Sequence, residues 1–357
     1  MSKKYHFFSY CPHLVNEGGH DFTYHLTLQK IMQRNQIEYR ALITQGINFN
    51  KLTSEWTPFF RGEKWRIIDF VRSFFLTSGQ RIFFLESFNG KDLCALVLAA
   101  LLFARKQDRI WILFRYGKDQ LPMNGRLHLF LAKLLRKKLK ERFVALTDSD
   151  LIRRSFEPHL SMKVMPIPHT EVAAPFKKMS TKLTMWWPGV PRPAKGVEEI
   201  KRLMLLSSPG EMELVLAQSV PLPSEPRLKV RQIPNILSRE QYLEQMQEAD
   251  IVLLPYDPDT YRSGTSGILV EAIIAGKMPL VKQGSWLSYE LQRFSLEELI
   301  IDWSRKDLME HILLLHQDQT VQAKLEKMKQ EYTQFHSIEG YEAILKKLIF
   351  SKQPSLE

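Results

Sequence analysis

The sequence predicts an α/β protein made of two doubly wound domains, each a parallel sheet covered by helices on both faces, set facing one another across a cleft. Three observations lead there. Short apolar runs rich in aromatic and β-branched residues alternate with helix-period segments along almost the whole chain. The alternation breaks once, at Pro166-Ile167-Pro168-His169 followed by Ala173-Ala174-Pro175, a stiff and irregular stretch of the kind that links domains. Finally, 357 residues divide into two domains at about 100–200 residues each. The expected units are 1–168 and 169–335, with a last helix at 336–357 packing back toward the N-terminal domain.

In order, strands are expected at 5–10, 39–44, 81–86, 109–114, 143–147 and 162–165, with helices at 22–32, 65–76, 92–104 and 125–142. After the break, strands are expected at 182–187, 212–217, 227–233, 251–255 and 280–282, and helices at 196–206, 238–247, 267–275, 307–316, 321–335 and 339–350. No short repeat or low-complexity segment interrupts them. Hydrophobic content of 44% and charged content of 25% are globular values.

The balance of 50 Lys+Arg over 39 Asp+Glu gives a net charge of +11, which favours anionic partners such as phosphorylated ligands or acidic lipid. Two cysteines, Cys11 and Cys94, make neither a disulfide framework nor a metal motif, which suits a reducing, cytoplasmic setting. The N-terminal residues do not read as a signal peptide, and no uncharged apolar run is long enough to span a bilayer.

Ligands of open parallel sheets bind at the carboxyl ends of the strands, so the chemistry is sought in the loops 11–20, 86–90, 115–119, 147–150, 188–196 and 256–266. Glu17-Gly18-Gly19-His20 follows the first strand and opens a helix; backbone N–H groups there can hold an anion, and glycine lets it come close. A plain tight turn is the alternative. The spacing is not that of a dinucleotide fingerprint. In the loop 188–196, Arg192 and Lys195 stand three apart at a helix N-terminus, where cations oppose the helix dipole unless an anion joins them. A diphosphate would suit that pair; solvated loop charges are the alternative. The loop carrying Tyr261, Ser263, Ser266 and Gly267 is small, polar and glycine-bearing, and its amides suit a phosphate too. Asp257-x-Asp259 within it reads as turn chemistry rather than as a metal clamp. The helix that follows contains one carboxylate, Glu271, in an otherwise apolar run. It is not placed for a capping box, and Gly267, Ile268, Ile274 and Ala275, three and four residues away, offer no cation. Glu271 lies either on a wet edge or against a ligand hydroxyl.

Together these segments resemble glycosyltransferases of the GT-B fold, family 4 type. The resemblance is carried by Gly-Gly-His-x-x-x-Tyr near the start, Arg192-x-x-Lys195-Gly196, LSREQYLEQMQEAD (237–250), ADIVLLPY (249–256) and SGILVEAIIAGKMPLV (266–281). It spans nearly the whole chain in order, strongest over 182–290. It implies transfer of a sugar from a nucleotide-diphosphate donor to an acceptor hydroxyl with retention of configuration, no cofactor beyond the donor and no metal. It implies that Arg192 and Lys195 contact the diphosphate, that the amides at Ser266 and Gly267 cup a phosphate, that Glu271 binds the ribose hydroxyls, and that Gly18 and Gly19 close from the other domain. Tyr261 and Ser263 fall in the donor loop. The family pairs two glutamates with seven residues between them, and Ser263 stands where the first is expected. Many members also place an arginine directly after the loop glycine, where this chain has Val190. His20, Glu86 and Arg115 are the catalytic candidates of the N-terminal domain. Rival readings are a GT-B protein that binds without turnover, and a sugar-nucleotide epimerase or phosphorylase.

Residues 126–142, RLHLFLAKLLRKKLKER, hold seven Lys/Arg and one Glu. Leu127, Phe130, Leu131, Leu134 and Leu135 lie at helical spacing and are expected in the core. Lys133, Arg136, Lys137, Lys138 and Lys140 then form an outer face suited to an anionic membrane surface, at which a lipid or surface-glycan acceptor would be met; a merely solvated face is the alternative. No nucleic-acid-binding motif accompanies the charge, and no nucleic-acid partner is expected.

Overall fold

The computed structural model describes residues 5–14, 20–47, 53–117, 122–167 and 182–350; the side chains of residues 20, 21 and 122–124 fall outside that description. By packing, the chain divides into two compact units, Met1–His169 with Ile338–Glu357, and Thr170–Ser337.

The first unit holds β1 (Tyr5–Cys11), β2 (Glu38–Thr44), β3 (Trp56–Phe60), β4 (Gln80–Leu85), β5 (Asp108–Phe114), β6 (Phe143–Thr147) and β7 (Met162–Val164). They form one parallel sheet in the order β3-β2-β1-β4-β5-β6-β7. Successive side chains of a strand point to opposite faces, so one strand feeds two cores. Phe8 and Tyr10 of β1 join Phe83 and Leu85 of β4 on one face, whereas Phe7 and Cys11 join Ile82 and Phe84 on the other. The first core is roofed by α2 (Arg66–Ser73), α3 (Gly90–Phe103), α4 (Pro122–Leu139) and α5 (Asp150–Phe156), the second by α1 (His20–Arg34) and α12 (Ile338–Phe350). Helix α12 is tied down by Asn35, which donates to the Glu342 carboxylate at 2.8 Å. Arg109 also holds it, donating to the carbonyls of Leu348 and Ile349 at 3.0 and 2.7 Å. Arg81 and Asp108, in register on β4 and β5 and fully buried, form a forked pair at 2.8 and 2.6 Å that satisfies both charges inside the core.

The second unit holds β8 (Leu183–Trp186), β9 (Met212–Ala217), β10 (Lys229–Ile233), β11 (Ile251–Leu254) and β12 (Met278–Val281), parallel in the order β10-β9-β8-β11-β12. Its helices are α6 (Val197–Leu203), α7 (Arg239–Glu248), α8 (Gly267–Ile274), α9 (Trp286–Gln292), α10 (Leu308–Gln317) and α11 (Gln319–His336). Helix α8 starts at the expected place because Ser266 accepts the Leu269 N–H at 3.3 Å, and it stops before Gly276, whose φ of 69° is left-handed.

Three elements escape the periodic reading: β3, α5 and α9. One expectation is corrected. On α4 the buried apolar residues are Leu129, Leu131, Ala132, Leu135 and Leu139, with Leu134 half-buried against them, whereas Leu127 and Phe130 are 37% and 58% exposed. The helix carries leucine on nearly every side, so spacing alone does not say which side meets the sheet.

In each sheet the strand order reverses once, between β1 and β4 and between β8 and β11. Those crevices are where a doubly wound sheet accepts ligands.

Candidate functional site

At the reversal of the second unit, the loop after β8 and the loop after β11 meet. Gly189 (φ 86°) and Gly196 (φ 82°) supply the left-handed turns. Gly196 is also sterically required: a Cβ there would stand 2.3 Å from the Pro255 carbonyl at the end of β11. The Asp257 N–H donates to the Ala194 carbonyl at 2.9 Å, and the Trp187 indole donates to the Lys195 carbonyl at 3.1 Å. The result is a fixed short turn, Pro193–Lys195, that holds Lys195 inward. Its ammonium lies against Gly189, where a Cβ would come within 2.5 Å of Nζ, and 5.6 Å from the Tyr256 ring centroid. Ile268, in the first turn of α8, reaches the same glycine, with its Cδ1 3.8 Å from that Cβ position. Lys195 therefore lies close to the Ile268 side chain of that turn.

The electrostatics there are one-sided. Burial, and then the Arg192 guanidinium, push the Lys195 ammonium down to about 8. Among the described residues no ion pair joins Lys195 to a carboxylate. Arg192 is exposed, Ser263 and Ser266 are buried, and Tyr261 packs its ring 4.5 Å from that of Tyr256. The expected donor residues Arg192, Lys195, Tyr261, Ser263, Ser266 and Gly267 thus lie on two loops that pack together.

Glu271 is buried, 6% exposed, so the wet-edge alternative does not hold. Its partners come from α7. Arg239 donates to Oε1 at 3.0 Å and the Tyr242 hydroxyl donates to Oε2 at 2.6 Å, with the Tyr242 ring against Trp186 of β8. No local sequence signal marks Arg239 and Tyr242 as partners of Glu271. They lie three apart, on one face of a helix, inside the segment 237–250. Asp257 accepts both the N–H and the hydroxyl of Thr260, at 2.9 and 2.7 Å, and Asp259 pairs with Arg262, so these aspartates serve the turn. A concavity of about 420 Å³ opens beside the same turn, between Pro193, Gly196, Glu199, Asp257 and Lys282; none of the expected donor residues lines it. Among the described residues no three His, Cys, Asp or Glu side chains gather as a metal site.

The reversal of the first unit gathers a different set. Glu86 follows β4, Arg115 follows β5 and Asp148 follows β6. Arg115 donates to Glu86 through Nη2 and to Asp148 through Nη1, the latter at 3.4 Å. His25 of α1 reaches the other Glu86 oxygen at 3.2 Å and places Nδ1 3.0 Å from the Ser9 hydroxyl. Burial alone would lower the His25 imidazole. Cys11 and Glu86 beside it outweigh that and push it up to about 10. Arg115 also lies 5.5 Å over the Tyr24 ring, whose hydroxyl meets that of Tyr341 at 2.5 Å. Glu86 and Arg115 are therefore brought together, with His25 as a member that the sequence did not announce. Gly18 and Gly19 lie outside the described residues, and of His20 only its place at the start of α1 is described. Nearby, His13, after β1, meets Asp92 at 2.6 Å, and Arg66 takes the other oxygen at 2.8 Å.

No protein-family model matches the sequence, and no curated protein matches it significantly. Solved structures do match the fold. An α-glucosyltransferase in complex with UDP and a 13-mer DNA containing an HMU base superposes with a TM-score of 0.60 at 13% identity, covering 98% of this chain and 100% of that one. Anabaena Alr3699/HepE in complex with UDP-glucose gives 0.63 at 11% identity, covering 97% and 100%. An Escherichia coli trehalose-6-phosphate structure with bound UDP-2-fluoro glucose gives 0.64 at 10% identity, covering 97% and 99%. The chain has the GT-B fold.

Proposed function

We propose that the protein is a glycosyltransferase that moves a sugar from a nucleotide-diphosphate donor to an acceptor hydroxyl, with the donor held by the second unit. One observation carries this reading: at the sheet's reversal point a half-buried lysine, with an arginine as its electrostatic neighbour and no carboxylate paired to it among the described residues, lies close to the first turn of α8. A diphosphate supplies the missing negative charge. As the bond to the sugar breaks, charge grows on the leaving phosphate, and Lys195, Arg192 and the N–H groups at Ser266 and Gly267 stabilise it in place, without proton transfer. Glu271, fixed by Arg239 and Tyr242, binds the ribose hydroxyls. That similarly folded proteins hold UDP or UDP-glucose supports the reading.

In the first unit, Arg115 is the group that meets acceptor or phosphate, Glu86 and His25 hold it in place, and His20, Gly18 and Gly19 complete that side. Transfer retains configuration and needs no metal, so a chelator leaves the rate unchanged. The protein works in the cytoplasm. The cations Lys133, Arg136, Lys137, Lys138 and Lys140, all exposed, suit an anionic membrane where a lipid or surface-glycan acceptor is met. A second reading, binding without turnover, is favoured by Ser263 at the position of a sugar-holding glutamate. Incubation with UDP-, GDP-, ADP- and CMP-sugars separates the two: donor hydrolysis or transfer supports the enzyme, and binding with no turnover of any donor supports the second reading.

A further inference from the structure

Helices α2, α3 and α4 lie side by side over one core of the first unit; the outward sides of α2 and α3 are largely apolar where a solvated helix is charged, and that of α4 mixes apolar residues with cations. Helix α2 buries charge beside its core residue Phe70. It buries Arg66 and Asp69, paired with Asp92 and with Arg61 and Arg72, while Ile67 and Ile68 are 52% and 46% exposed. Helix α3 presents Leu98 at 49% and Leu102 at 75% exposure, and no exposed charge occurs between Lys91 and Arg105. Phe75, just past α2, meets Phe103 of α3 at 5.6 Å, which joins the two apolar sides. Helix α4 continues them with Leu127 and Phe130. An apolar surface spread over three adjacent helices exceeds the scattered single residues that ordinary surfaces carry.

The charge at its borders is predominantly positive. Helix α4 carries Arg126, Lys133, Arg136, Lys137 and Lys138 and no acidic residue. Lys64 precedes α2, Arg72 lies in its last turn, and Arg105 and Lys106 follow α3; the acidic exceptions are Glu63, paired with Lys91, and the exposed Glu141 just past α4. A second copy of the chain on this face would set cations against cations. A nucleic acid would use the cations and leave the apolar centre unmatched.

We propose that the outward side of α2, α3 and α4 docks onto an anionic lipid bilayer. Ile67, Ile68, Leu98, Leu102 and Phe130 enter the boundary between headgroups and acyl chains, and the α4 cations lie on lipid phosphates, the arrangement of amphipathic interfacial helices. The inference deepens the membrane clause of the proposed function and does not depend on glycosyl transfer.

Co-sedimentation with vesicles tests it, using phosphatidylcholine alone and phosphatidylcholine with about 30% phosphatidylglycerol. The protein should bind the anionic vesicles, and Leu98→Asp/Leu102→Asp should weaken that binding by at least about tenfold, since both positions are exposed and the change places charge in the boundary. An unchanged melting temperature confirms that the variant folds; should it not, Phe130→Ser on α4 serves in its place. Lys133→Glu/Lys137→Glu should also lose binding. Equal binding to neutral and anionic vesicles, or variants that partition like the native chain, would overturn the proposal. So would a dimer in light scattering that Leu98→Asp/Leu102→Asp dissociates, or tight binding to duplex DNA in place of vesicles. Calorimetry with UDP-glucose runs in parallel. Donor binding without vesicle binding removes this inference alone, and vesicle binding without donor binding removes the glycosyl-transfer reading alone.

Discussion

The two strand-end clusters handle charge in opposite ways. In the first unit Glu86, Arg115, Asp148 and His25 are ion-paired to one another. In the second, Glu271 is satisfied by Arg239 and Tyr242, but among the described residues the one charged neighbour acting on Lys195 is another cation, Arg192. A closed network holds geometry. An open one, held at a cost in stability, marks where an anion belongs.

The largest expected effect breaks the closed cluster. Glu86→Leu leaves the Arg115 and His25 charges without their shared partner, and chemical denaturation should show a loss of about 3–5 kcal/mol. If the loss is near zero, the cluster does not order the first unit. Breaking the open cluster should do the reverse. Lys195→Met should cost about 2–3 kcal/mol of nucleotide-sugar affinity, the worth of a charge-assisted contact to phosphate, while leaving the melting temperature unchanged or raised. Tyr242→Phe should have a smaller effect of about 1–2 kcal/mol, because it removes one hydrogen bond from the buried Glu271 carboxylate.

The pH dependence sharpens the contrast. His25 is raised above its ordinary 6.5 to about 10, so the stability it contributes is complete below about 6.5 and is lost as pH rises through about 10. Lys195 is lowered from 10.5 to about 8, so the unfolded chain binds more protons between those values and stability rises with pH across that window. His25→Gln should therefore flatten the alkaline loss of stability, whereas Lys195→Met should steepen it. Urea titrations from pH 6 to about 10 would show both slopes.

Much of the fold was readable because doubly wound sheets announce themselves through alternation. β3 escaped because Pro58 stands in its middle; as an edge strand it pairs only with β2 and tolerates the missing N–H. Helices α5 and α9 are seven residues each, too short for periodicity to stand out. At the site, the loop glycines and the Arg192/Lys195 spacing were visible because local backbone chemistry dictates them. The partners of Glu271 were not, since Arg239 and Tyr242 reach it from another helix, 32 and 29 residues away. His25 was hidden for the same reason: α1 brings it to Glu86 only once the sheet has formed. The exposure of Leu127 and Phe130 likewise depends on which side of α4 meets the sheet.

The most direct measurement of the central claim is calorimetric titration of UDP-glucose into the native chain and Lys195→Met at pH 8, in buffers of different ionisation enthalpy. An anion on Lys195 restores its proton, so the native chain should take up protons on binding, and the variant should bind about 30-fold or more weakly with no such uptake. Equal affinity in the two proteins, with no buffer dependence in either, would contradict the account.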